Sequence, residues 1–423
     1  MKTYLAVRLR YHQQKEKTPN RAVSPIRRCH IYKSCLCKLQ EAIHAGKVFA
    51  DDIKFEIDNG AHLERMKVGM LESIRDNTYL KGICSGTAYG ERDTIDCDTA
   101  LVLLGEDMNS AGSLKKNAGH IDLDRAAQLP GYAQCFACFT TPGMEKWYKK
   151  SPVVVFEREL ATVMRETEKN ADLISLCYSP DEVEANLASG KMSAILTIEG
   201  PAGFDYDPEL LEDLYRVGFR ITTLGWNEQN ILCGSNVTGG GLTEQGREYV
   251  RKAQELGMLV DVSHISDAAF YDVLECSTKP VVATHSCCRA LADHPRNMTD
   301  DMIRALAAKG GVIQINFYPV FLDSKFAKEL NESELMEKGE LIEIEYISDP
   351  FNLEKRQAWG EVLRQLNQME RPSYKLIADH IDHVVSLVGV DHVGVGSDYD
   401  GIAVTPSGME DISMMPKLFD ELR

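Results

Sequence analysis

Eight short runs, most of them nearly continuously apolar, constrain this chain more than any other feature. They lie at residues 94–97, 132–140, 192–199, 219–226, 258–264, 280–286, 311–318 and 392–398. Apolar runs of this length without alternation suit strands buried on both faces. Helical patterns separate them. Glu157–Glu168 repeats apolar residues at helical spacing, and Pro208–Val217 follows the third run. Thr243–Leu256 opens on a hydroxyl cap and closes at Gly257, while Ser266–Cys276 and Thr299–Lys309 repeat that logic. The last of these carries Asp300 and Asp301 in its first turn, and Ser373–Val388 leads into the final run. Strict alternation implies a parallel sheet, and eight units imply a closed (β/α)₈ TIM-type barrel. The competing arrangement is an open doubly wound sheet, but no G-x-G-x-x-G follows the first strand. Residues 319–372 break the rhythm as a helical excursion containing Leu335–Ile342 and Leu353–Met369. At that position it could act as a lid, a dimer surface or a solvated hairpin.

Charge divides the chain. Residues 1–50 hold 11 Lys/Arg and two acids, whereas the whole chain carries a net charge of -17. Residues 1–93 are therefore expected to be an atypical basic extension, and 94–423 the barrel. The acidic balance argues against nucleic-acid binding. No run approaches the ~18 apolar residues that would span a membrane. Twelve scattered cysteines and no signal-peptide core suggest reduced thiols and a cytoplasmic setting. Cys135-x-x-Cys138 falls in a strand, where a spacing of three puts the thiols on opposite faces; it reads as two core residues.

The apolar runs share one edge. Residues 194–198 run into Glu199, 259–263 into His264, 281–284 into His285, and 393–397 into Asp398. Barrel active sites sit at the C-terminal ends of strands. Unpaired acids and imidazoles there would be costly to bury, and a divalent metal offsets that cost. Two neutral imidazoles with carboxylates suit Zn²⁺.

These residues also carry a resemblance. Thr197-Ile-Glu-Gly200, Asp261-Val-Ser-His264, Ala283-Thr-His-Ser286, His294-Pro-Arg-Asn297 and Gly394-Val-Gly-Ser-Asp-Tyr-Asp-Gly401 resemble the membrane (renal) dipeptidase family of zinc metallopeptidases, its bacterial members in particular. The resemblance implies two zinc ions bridged by Glu199, with His264 and His285 on one and a first-strand His-x-Asp on the other. It implies that Asp398 handles the proton of the attacking water and that Arg296 binds the terminal carboxylate of a dipeptide.

Three departures stand out. The first-strand text is Ile95-Asp96-Cys97-Asp98-Thr99, so Asp98 matches the family aspartate while Asp96 stands where histidine is expected. Nearby, His120-x-Asp122 spells the missing pattern, but away from a strand end. Trp226 occupies the place of a substrate-contacting histidine in the animal enzymes. The sequence stops at Arg423, which is expected to leave apolar surface beside the eighth strand uncovered. The leading expectation is a zinc dipeptidase acting on small dipeptides, with a homodimer left open. The alternatives are a degenerate or single-metal paralogue, and a barrel amidohydrolase for another amide.

Overall fold

The computed structural model describes residues 94–97, 99–103, 112–129, 131–147, 149–348 and 352–423. The basic segment 1–93 and Asp98 lie outside the described residues. The eight expected strands form, each somewhat shorter than its apolar run. They are β1 (Thr94–Cys97), β2 (Ala133–Phe139), β3 (Met192–Glu199), β4 (Phe219–Thr223), β5 (Leu259–Asp261), β6 (Val282–Ser286), β7 (Val312–Ile315) and β8 (Val393–Val395). All pair in parallel and in sequence order. Strand β8 comes back to within 8 Å of β1 between Cα atoms, curling the sheet into a (β/α)₈ barrel. A further edge strand, Ile174–Leu176, pairs with β3; three residues gave too short a run to stand out in the sequence.

Inward-facing positions follow a simple order. Ala133 and Cys135 of β2, Ile195, Ile221, Leu259, Val282 and Val312 pack with Cys177 and Val183 into an apolar inner cluster. Two residues further along four of these strands stand Thr197, Thr223, Asp261 and Thr284, all buried. The two-residue period of a strand therefore sets a polar layer above an apolar one. Outward positions, including Cys138, Leu196 and Ile198, join the larger strand–helix core. Cys135 and Cys138 thus enter different clusters, as their spacing requires.

Helices cover the outside and start where the caps predict. Thr243 accepts from the Gly246 amide at the head of α1 (Glu244–Leu256), which ends at left-handed Gly257. Ser266 caps α2 (Asp267–Cys276) and Thr299 caps α3 (Asp300–Ala308). The excursion folds as α4 (Leu335–Ser348) and α5 (Leu353–Gln368), which pack together before α6 (Lys375–Val388) returns to the barrel wall. Among the described residues, no helix is long and apolar enough to cross a membrane.

His380 of α6 is a fully buried structural histidine. Its Nδ1 accepts from the Cys288 amide at 3.0 Å, and its Nε2 donates to the Leu322 carbonyl at 3.3 Å. Burial pushes its pKa down to about 4. The unfolded chain protonates this group near pH 6.5, the folded one only near pH 4, so stability falls as pH drops through that window. Between pH 7 and 5 the loss from this residue is about 2 kcal/mol. Urea unfolding at the two pH values should show a flatter acid limb in His380→Asn than in the parent; an unchanged slope would contradict this account.

Candidate metal centre

Glu199 reaches the barrel mouth as the last residue of β3, and Gly200 then turns with φ 77. A Cβ at Gly200 would run into the Thr140 carbonyl oxygen, so the strand can turn away sharply only with glycine there. His264 and Asp398 were expected as the final residues of their strands. The ladders stop earlier, at Asp261 and Val395, and both residues sit just beyond in left-handed backbone, φ 70 and φ 57. For a residue with a Cβ that conformation costs on the order of 1 kcal/mol or more. It aims the side chain where a regular strand would not.

His285 is re-aimed differently. Ala283 pairs with Ile313, but Ser286 pairs with Ile315, so Thr284 and His285 together oppose Gln314. This extra residue is a β-bulge, and it lets neighbouring side chains both serve the mouth.

The three ligand candidates converge. Ligand atoms of Glu199, His264 and His285 lie within 4.8 Å of one another, and all three residues are buried. Glu199 Oε1 is 3.3 Å from His264 Nε2 and 4.0 Å from His285 Nε2, while the two Nε2 atoms are 2.8 Å apart. These edges bracket the ~3.4 Å between ligand atoms of a tetrahedral site with bonds of ~2.05 Å.

The hydrogen-bond partners set the tautomers. His264 Nδ1 lies 3.0 Å from Asn227 Oδ1, an acceptor, so Nδ1 carries the proton. His285 Nδ1 lies 2.8 Å from Thr284 Oγ1, whose own proton goes to Asp261 Oδ2 at 2.7 Å. Nδ1 of His285 is therefore also the donor. Both Nε2 lone pairs are left facing each other beside a carboxylate oxygen. Three electron-rich atoms with no proton among them suit a divalent cation. Burial, then the Arg296 charge and then His285, hold the His264 pKa well below its usual value, keeping it the neutral imidazole a ligand must be.

Asp261 anchors this arrangement. It is buried and accepts from the Ser263 amide at 2.9 Å, the Thr284 amide at 3.0 Å and the Thr284 hydroxyl. Its place in the motif was legible, but its role as the support of His285 was not, since Thr284 is 23 residues away. Asn227, likewise, gave no sequence signal beyond following Trp226.

Arg296 and Trp226 lie beside this group. Asp398 accepts from Asn316 Nδ2 at 2.9 Å, but it is not one of the three clustered ligands. Arg296 is buried; its guanidinium donates to the His285 carbonyl at 3.1 Å and Ser286 Oγ at 3.4 Å, and among the described residues its Nε has no partner. Burial lowers the Arg296 pKa, opposed by Asp398, Asp261 and Glu199. His294 accepts from the Arg296 amide at 3.1 Å, holding that loop. Trp226 lies 6.2 Å from the His264 ring and meets Phe139 and Trp147 edge-on at 5.2 and 5.7 Å. Asp96 stands in β1 opposite Cys135 of β2.

The His120-x-Asp122 string does not supply a ligand pair. Asp122 caps a short helix by accepting from the Arg125 amide, and His120 Nδ1 accepts from the Asp400 amide at 2.8 Å. Asp400 in turn accepts from Thr99 Oγ1, tying the end of the first strand to the loop after β8.

Asp261→Ala should leave Thr284 free to rotate and His285 unsupported. Metal affinity, measured by competition with a chromophoric chelator, is expected to fall about 10–100-fold. An unchanged affinity in a folded variant would remove Asp261 from this role.

A sequence model of the membrane dipeptidase family (peptidase family M19) matches residues 91–423. Dipeptidase verJ of Clonostachys rogersoniana is 31% identical over 259 residues, 60% of this chain and 55% of that protein. An uncharacterized dipeptidase of Schizosaccharomyces pombe is 30% identical over 319 residues, 71% of this chain and 65% of the relative. The chain thus spans little more than half to about two thirds of these relatives' length. Among solved structures, the probable dipeptidase PvdM from Pseudomonas aeruginosa superposes with a TM-score of 0.62 at 22% identity, covering 85% of this chain and 92% of that one. A Rhodobacter sphaeroides metallo peptidase, solved with a phosphinate mimic of the dipeptide L-Ala-D-Ala, gives 0.60 at 23% identity, covering 77% and 91%. These likenesses in structure support the barrel fold, and the match over residues 91–423 shows that the chain belongs to the membrane dipeptidase family.

Proposed function

We propose that this protein is a zinc-dependent dipeptidase that hydrolyses small dipeptides at the mouth of its barrel. The observation that carries the reading is the buried Glu199–His264–His285 group with both Nε2 lone pairs turned inward. Two neutral imidazoles and a carboxylate match the preferences of Zn²⁺ better than those of Mg²⁺ or Ca²⁺. When bound, such an ion supplies Lewis acidity to the scissile carbonyl and to water.

The chain's own residues supply the rest. Asp398, held by Asn316, takes the proton of the attacking water and passes it to the leaving amine. Arg296 offers a buried fork of donors, one of them without a partner among the described residues, to the terminal carboxylate. Trp226, backed by Phe139 and Trp147, gives an apolar wall beside His264. A tryptophan in that place cannot polarise a carbonyl as imidazole can, so it shapes the pocket for an apolar side chain.

The first-strand spelling Asp96-Cys97-Asp98, in place of His-x-Asp, favours one tightly held ion over two. Metal analysis after dialysis should give about one zinc per chain, and Asp96→His should raise the content toward two. Two ions in the parent protein would instead show that Asp96 ligates as well as histidine.

Zinc-loaded protein should cleave members of a panel of L-Xaa dipeptides. His285→Ala is expected to lower kcat/KM by more than the about 10–100-fold that loss of an outer-shell partner gives. Asp398→Asn should lower kcat by about 10²–10⁴ with a smaller change in KM. Absence of turnover on the whole panel by the metal-loaded parent would end the dipeptidase reading.

A further inference from the structure

Arg296 is carried by a segment without regular structure. Between β6 and α3 the chain makes turns and bends and one bridge, from Cys288 to Met298. A side chain on such a loop is placed by whatever grips the loop's backbone.

Arg289 provides that grip. Its Nε donates to the Asn297 carbonyl at 2.8 Å and its Nη2 to the Pro295 carbonyl at 3.2 Å. One guanidinium thus holds the carbonyls of the residues on either side of Arg296. The Arg289 amide adds a bond to the Met298 carbonyl at 2.8 Å. The same guanidinium forks onto Asp267, with Nη1 to Oδ2 and Nη2 to Oδ1 both at 2.7 Å. Asp267 is the first residue of α2, three residues past the ligand candidate His264. A partly exposed ion pair held by one contact would contribute little, but a bidentate fork fixes direction as well as distance. The loop of Arg296 is therefore fastened to the segment that carries His264. Arg296 completes the link from its own side, since its Nη2 donates to the His285 carbonyl and its guanidinium lies 5.4 Å from the Phe321 ring.

We propose that Arg289, through its fork on Asp267, is a positioning residue that fixes the reach between the Arg296 guanidinium and the metal ligands, and so sets the preference for a free C-terminal carboxylate. This rests on the dipeptide reading above, in which Arg296 takes that carboxylate. In a dipeptide only the amide nitrogen and one α-carbon separate the scissile carbonyl from the terminal carboxylate. The two anchors must then stand at one spacing, whereas each further residue would move the carboxylate by about 3.3–3.6 Å. A displacement of about 1 Å already costs up to about 100-fold. Arg289 and Asp267 do this without ending a barrel strand, so neither stood out with the strand-end residues.

The test is isothermal titration of the zinc-loaded protein with two probes, a phosphinate analogue of Ala-Ala with a free C-terminal carboxylate and its C-terminal carboxamide. The parent should bind the carboxylate probe more tightly. Arg289→Gln should weaken that probe by about 10–100-fold and leave the carboxamide unchanged. Asp267→Asn, at a half-exposed position, should act in the same direction more weakly, and the double variant should be no worse than Arg289→Gln alone. If Arg289→Gln does not fold, the selective loss is read from Asp267→Asn. Equal weakening of both probes, or of neither, would overturn the role of Arg289 while leaving the dipeptidase reading intact, as would a parent that binds both probes equally. A parent that binds neither probe would overturn both.

Discussion

Two imidazole nitrogens stripped of protons and held 2.8 Å apart beside a buried carboxylate form the contact around which the site is built. Left alone, these atoms would repel one another or draw in a proton. The chain fixes the tautomer at both rings by using Nδ1–H as a donor, toward Asn227 on one side and Thr284 on the other, so that both Nε2 lone pairs turn inward. Asp261 makes the Thr284 part of this work, because it takes the hydroxyl proton and both neighbouring amides. A buried, fully bonded carboxylate is rigid, and that rigidity passes through one hydroxyl to His285. The demand for a cation is thus set outside the ligands as much as by them.

The barrel delivers these groups by departing from regular strand geometry at its rim. Lower in the barrel, alternate residues point inward and the interior is apolar. At the rim, a bulge in β6 brings Thr284 and His285 to work side by side, and left-handed backbone turns His264 and Asp398. Gly396 allows β8 to come close: a Cβ there would collide with the Thr284 carbonyl oxygen. Such departures each cost on the order of 1–3 kcal/mol and persist only where surrounding packing over-determines them. Here the apolar core beneath and the capped helices around supply that packing.

The mouth is finished by elements outside the βα repeat. The pairing of Thr99 with Asp400 ties the first and last strands, and α4 packs against the short helix Met144–Trp147. Trp226 and Trp147 add an apolar wall beside His264. Beside His264 this chain thus presents aromatic surface.

The amino-acid sequence by itself determined the repeat and its edge. Continuous apolar runs, hydroxyl caps and glycine stops depend on neighbours a few residues away, so the strands, α1, α2 and α3 are legible in order. Glu199, His264 and His285 are legible as ligand candidates because each ends such a run. The tertiary structure alone decided which nitrogens face the centre and that Asp261 supports His285. Those facts rest on partners 21 to 37 residues apart, and no local period encodes them. Strand ends were overestimated for the same reason. Hydrophobicity continues past the last ladder bond, whereas the turn that aims His264 is imposed by the groups it must meet.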